Sequence, residues 1–327
     1  MPLSIISDPD ECSTYVHNKL TQRDPCFLAR IGGSDTDALA ALAEIEISKH
    51  SPLINKINDY KALVERYNGF YTKNDDSLKD FESYLNVLRN AYEAADSVFI
   101  VCQELNHLYF PHLIDKCTAS PESLEQYENL MKFVTSGDKE TVALPYNYVE
   151  RMNYGGKSLF GDFSVLLDDR KVLAISPFSE SIQSTFLRNK RFFKNYNYPD
   201  LHLATYETPI TYSGLPAEFY PDQSWHDTLE RMKNEVSNIE FDIALLSCGS
   251  YAMPLGVYIR DVLKRKAIYL GGIMQMYFGI MGRRYETPFF VNQINREVFI
   301  KPLEGDRFLS HVPLTEGQPT EAFGAYF

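Results

Sequence analysis

Phe27-Leu28-Ala29-Arg30-Ile31-Gly32-Gly33-Ser34-Asp35-Thr36-Asp37 is the stretch on which the reading of this chain turns. Phe27 to Ile31 is short and mostly apolar, which predicts a buried strand. Two glycines follow, and the Ala/Leu-rich run from Ala38 predicts a helix. A strand that passes through glycine into a helix brings free backbone N–H groups and the positive end of the helix dipole to one place. A diphosphate is the expected guest of such a turn, at Arg30, Gly32, Gly33 and Ser34. Plain helix capping explains the same residues, because Ser34 with Asp37 three positions on suits a helix start and acids favour the first turn. The stretch is neither G-x-G-x-x-G nor G-x-x-x-x-G-K-[ST], so the motif indicates neither NAD nor ATP.

Working outward, Ser97 to Cys102, Lys171 to Ile175, Phe241 to Ser247 and Ala267 to Leu270 have the same strand character, and Leu201 to Tyr206 reads as an additional strand. Helical spacing fills the intervals, as in Phe81, Tyr84, Leu85, Leu88, Tyr92 and in Trp225, Leu229, Met232, Val236. Ser120 before Pro121 marks another helix start. Strands alternating with helices predict an α/β fold with a mostly parallel sheet and helices on both faces. The 327 residues fit a single domain. A helical insert is expected at about 51–135, a long glycine-bearing loop at 136–169, and an irregular tail at 286–327.

Ligands of open α/β sheets bind beyond the carboxyl ends of the strands. Three more strand ends there are unusual. One runs Ser176, Pro177, Phe178, Ser179, Glu180, whose hydroxyls suit a ligand or a helix cap and whose carboxylate suits a general base. Another runs Cys248, Gly249, Ser250, Tyr251, and a third ends in Gly271, Gly272. Glycine at neighbouring rims lets backbone lie flat against a base or a sugar.

A net charge of −12 excludes a general affinity for nucleic acid or anionic lipid. A local anion site remains open to Lys264, Arg265, Lys266 and to Arg283, Arg284. The five cysteines lack paired zinc spacing and read as reduced thiols. No apolar run is long enough for a membrane span and no basic-then-apolar leader opens the chain, so a cytoplasmic location is expected. No histidine pair or G-x-S-x-G elbow points to a metalloprotease or serine hydrolase. Oligomeric state has no signature here.

Asp242 to Arg284, with its Ser-Cys-Gly-Ser-Tyr and Tyr-Leu-Gly-Gly blocks, resembles the C-terminal half of GT-D type glycosyltransferase domains. Lys171 to Ile182 and the closing Gly324, Ala325, Tyr326, Phe327 add to the resemblance. It implies a Rossmann-like domain that takes a sugar from a nucleotide sugar, usually a UDP-sugar, and adds it to a glycan or glycoprotein. The family's Arg-x-Gly-Asp-Gly-Glu falls on Arg30 to Asp35, with Gly33 in place of the first acid and Asp35 in place of the second. Asp35 and Asp37 are then the pair left for Mn²⁺ or Mg²⁺, and Asp35 or Glu180 the general base. Donor contacts fall to Arg30, Gly32, Gly33, Ser34, Ser176, Ser179, Cys248, Gly249, Ser250, Tyr251, Gly271 and Gly272. Two other readings stay open: a nucleotide-sugar binding protein without catalysis, and transfer of a pyruvyl or phosphoryl group to a sugar.

Overall fold

A computed structural model describes residues 3–48, 54–113, 120–134, 140–150, 154–188, 190–211 and 220–305. Among the described residues eight strands form one sheet: β1 (Ser4–Ile5), β2 (Phe27–Ile31), β3 (Ser97–Ile100), β4 (Val142–Pro145), β5 (Lys171–Ser176), β6 (His202–Glu207), β7 (Ile243–Leu246) and β8 (Lys266–Tyr269). Their order is β1-β4-β3-β2-β8-β7-β5-β6. Every pairing in it is parallel. The fold is α/β and Rossmann-like, and each strand read from the sequence is present within two residues or so of its expected ends.

Connections that step toward β1 carry their helices on one face, and those that step toward β6 carry theirs on the other, as a constant crossover hand requires. The first face holds α2 (Gly33–Ser48), α3 (Ile54–Tyr67), α4 (Ser77–Ala94), α5 (Gln103–Tyr109), α6 (Pro121–Val134), α10 (Trp225–Ser237) and α11 (Ala252–Asp261). The second holds α1 (Pro9–Thr21), α7 (Asn147–Glu150), α8 (Leu159–Leu166), α9 (Ser179–Arg188), α12 (Met274–Tyr277) and α13 (Pro288–Val291). Each face has its own apolar core. The stripe Phe81, Tyr84, Leu85, Leu88, Tyr92 of α4 is buried in the first, where α4 packs on α2 and α11. Gly256 of α11 allows the closest approach, because a Cβ there would stand 2.2 Å from the Phe27 ring.

The expectation of a long loop over 136–169 is corrected. Val142–Pro145 is a strand between β1 and β3, and α8 follows, with Ser158 capping it through the Gly161 N–H. Ala143 and Pro145 are weak strand formers, and the two flanking strands impose the extended form. The tail expected to be irregular includes α13 and the buried Glu304; residues 306–327, with Gly324 to Phe327, lie outside the described residues. Among the described residues no helix is long and apolar enough to cross a membrane.

Candidate functional site

A cavity of about 440 Å³ opens at the carboxyl edge, across the ends of β2, β8, β7, β5 and β6. Arg30, Gly33, Ser34 and Asp37 line it from β2 and α2, with Tyr67 and Asn68 beside them. Tyr269, Gly271 and Gly272 come from β8, and Ser247, Cys248, Gly249 and Tyr251 from β7. Pro177 and Phe178 follow β5, and Thr208, Pro209 and Thr211 follow β6. Eight residues of the sequence-derived donor set therefore share one wall: Arg30, Gly33, Ser34, Cys248, Gly249, Tyr251, Gly271 and Gly272.

Arg30 is framed by aromatic rings. Its guanidinium lies 5.4 Å from the Tyr146 ring centroid and 5.3 Å from that of Tyr269. Tyr146 is fixed by its hydroxyl donating to the Leu270 carbonyl at 3.0 Å, and Tyr92 donates to the Arg30 carbonyl at 3.0 Å. Gly271 closes the frame, with φ +64 and the position of a Cβ only 3.0 Å from Arg30 Cζ. The result is a cation held at a set place on the cavity wall, planar and suited to a bidentate oxyanion. Beside it, Gly33 and Ser34 open α2, whose first-turn N–H groups have no helical acceptor.

The two acids of the turn part company. Asp35 is 1% exposed, and its Oδ2 accepts the Gly32 N–H at 2.9 Å beneath the turn. Burial pushes its carboxyl above the usual range, opposed by Arg30, the Gly32 N–H, Asn68 and Tyr92. Asp37 lines the cavity, and burial, then Asp35 and Glu104, push its carboxyl up. Residues two apart on a helix point about 200° apart. Asp35 falls on the buried stripe with Ala38, Leu39 and Leu42, and Asp37 faces the cavity.

Gly32, Ser176, Ser179, Glu180 and Ser250 lie off the cavity wall. Ser176 Oγ accepts the Phe178 N–H at 3.2 Å, Ser179 Oγ donates to Glu207 at 3.3 Å, and Ser250 Oγ accepts from Trp225 Nε1 at 2.9 Å. Glu180 is exposed. Glu304 explains why the start of α9 offers little to a ligand: its carboxylate takes the Ser181 N–H at 3.0 Å and the Ser181 hydroxyl. Burial raises the Cys248 thiol well above its ordinary value, which leaves it a poor nucleophile. Lys266 begins β8, at the sheet edge opposite the cavity, and Arg265 stacks on Phe241 and donates to the Ile239 carbonyl; Lys264, Arg265 and Lys266 all lie off the cavity wall. Arg283 is exposed and off the wall. Tyr67, Asn68, Tyr146, Thr208 and Thr211 were not anticipated; a polar residue followed by proline at a strand end, as in Ser176-Pro177, recurs in Thr208-Pro209 and was the available signal.

A metal held jointly by Asp35 and Asp37 does not fit this arrangement. One carboxylate is committed beneath the turn and the other faces away from it. Among the described residues, no three His, Cys, Asp or Glu side chains converge as a metal site.

No protein-family model matches the sequence, and no curated protein matches it. Two solved structures resemble the chain. One is a glycosyltransferase (DUF1792) from Streptococcus sanguinis, with 14% identity, covering 94% of this chain and 97% of that one at a TM-score of 0.47. The other is a selenomethionine-substituted structure of domain of unknown function 1792, with 11% identity, 95% of each chain covered and a TM-score of 0.45.

Proposed function

We propose that the cavity binds a nucleotide sugar, a UDP-sugar in the first instance, and that the protein is a glycosyltransferase acting on a glycan or glycoprotein. One observation carries this reading: the aromatic-framed guanidinium of Arg30 stands beside the first turn of α2 on the wall of a cavity that crosses five strand ends. The row of five adjacent strand ends that lines it spans about 19 Å at the usual spacing, room for a nucleoside, a diphosphate and a sugar in line.

In the reaction the acceptor oxygen bonds to the anomeric carbon as the bond from that carbon to the phosphate oxygen breaks. The departing diphosphate keeps the electron pair. Arg30 and the N–H groups of Gly33 and Ser34 meet its growing charge. The acceptor hydroxyl gives its proton to Asp37, the carboxylate on the cavity wall, whose raised pKa makes it a stronger base than an exposed aspartate.

The test incubates the full chain with UDP-, GDP- and CMP-linked sugars, following melting temperature and release of free nucleotide. Stabilisation by one donor, with slow nucleotide release and loss of both in Arg30→Ala, is the expected result. Stabilisation without release makes the protein a binder, and silence toward every nucleotide sugar overturns the reading.

A further inference from the structure

Charge is spread unevenly along this chain. Residues 186–200 and 288–301 together hold six cations and two acids, net +4, so the other 298 residues carry −16. The two cationic segments lie against each other on the second face. Phe193 bridges Ile294 in antiparallel fashion, the Lys194 N–H donates to the Gln293 carbonyl at 3.0 Å, and the Asn295 N–H donates to the Phe192 carbonyl at 2.9 Å. Phe192 and Phe193 are buried in the second core and anchor the pair.

Continued by two residues, the same register sets Arg191 opposite Arg296, and both are exposed. Like charges directly opposite one another destabilise a strand pair, and an anionic neighbour relieves that cost. Arg188 and Lys194 are exposed beside them, with Lys194 Nζ donating to the Asn292 carbonyl at 3.1 Å. Of the two acids, Asp200 pairs with Lys190 at 2.6 Å and Glu297 adjoins Arg296.

Large apolar side chains stand in solvent among these cations. Leu187, directly before Arg188, is 83% exposed, and Phe289 is 44% exposed, its carbonyl accepting from Gln293 Nε2 at 3.1 Å. A soluble anion has no use for them. A bilayer has, because attachment to an anionic membrane grows with apolar area buried at the interface as well as with cations over the headgroups. The acidic remainder of the chain does not cancel this, since charges are screened over about 8 Å at physiological salt.

We infer that this part of the second face docks on an anionic lipid membrane, with Arg188, Arg191, Lys194 and Arg296 over the headgroups and Leu187 and Phe289 in the interfacial layer. None of these residues lines the cavity, so the inference stands apart from the nucleotide-sugar reading.

Sedimentation of the full chain with phosphatidylcholine vesicles, with and without about one-third phosphatidylglycerol, tests it. Retention is expected on the anionic vesicles alone, falling as salt rises. Arg188→Gln combined with Arg191→Gln should weaken retention about 25-fold, because each cation near such a surface contributes about fivefold. Leu187→Asp should also weaken it, and melting temperatures report that each variant folds. Arg23→Gln combined with Lys79→Gln removes the same charge from exposed positions elsewhere and should leave retention as in the wild type. Absence of retention, equal retention on neutral vesicles, or equal loss in that control pair overturns the inference. So does binding of glycerophosphoglycerol, the free headgroup, as tightly as the vesicle with no effect of Leu187→Asp, because the patch would then take a soluble anion.

Discussion

Gly271, in the turn that follows β8, and Arg30 of the neighbouring β2 occupy one another's space: the hydrogen on Gly271 leaves the room that the Arg30 guanidinium fills, with 3.0 Å from the would-be Cβ to Cζ. Gly271→Ala therefore brings two penalties at once. An L-residue at φ +64 costs about 1–2 kcal/mol, and the new methyl pushes the cation from its aromatic frame. We expect a melting temperature a few degrees lower and nucleotide affinity at least tenfold weaker, read by thermal denaturation and calorimetry. Unchanged affinity would show that the position of Arg30 is immaterial.

Asp37→Asn should separate binding from chemistry. Donor affinity stays near the wild-type value while kcat falls by about 10² to 10⁴, the range for a lost general base. The base acts ionised, so kcat falls as pH drops through the Asp37 pKa, which lies above the usual aspartate value because of burial, Asp35 and Glu104. Glu104→Gln removes one of those negative neighbours, so the acid limb should move to lower pH. A limb that stays in place would take Asp37 out of the role.

Asp35→Asn tests the acid beneath the turn. A carboxyl whose folded pKa is raised is harder to ionise in the folded state, so ionisation there subtracts from stability above the unfolded pKa. Asparagine still offers an oxygen to the Gly32 N–H and carries no charge. The variant should be at least as stable as wild type at neutral pH, with the difference shrinking as pH falls through the folded pKa and vanishing below the unfolded one. Denaturant titrations across pH measure this. A variant markedly less stable at pH 7 would mean that the Asp35 charge supports the turn.

Glu304→Ala should unfold more easily, because the buried Ser181 N–H and hydroxyl lose their acceptor. The cost is about 1–3 kcal/mol, visible as a lower denaturant midpoint with an unchanged slope. Glu304→Gln should recover part of it.

Most of the sheet was legible in the sequence, because β2, β3, β5, β7 and β8 are buried on both faces and therefore carry continuous apolar runs. β1 and β4 were not, since β1 has two residues and Val142–Pro145 contains Ala143 and Pro145, both weak strand formers, so pairing with neighbours defines them. At the site, the glycine-bearing rims at Gly33, Gly249 and Gly271 could be read, since backbone freedom is written in the residue itself. The division between Asp35 and Asp37 was also within reach, from the position of Asp35 on the stripe Ala38, Leu39, Leu42. Thr208 and the clamp of Tyr146 and Tyr269 were not legible, because each depends on which strands become neighbours.

Pairing β2 with β8 has a consequence for synthesis. Leu28 lies beside Ile268, so roughly 240 residues separate the two paired positions, and the whole of that interval must leave the ribosome before the two sides of the crevice can meet. A nascent chain cut short of β8 would present its arginine turn with no facing wall, and nucleotide capture should emerge only after β8 has been made.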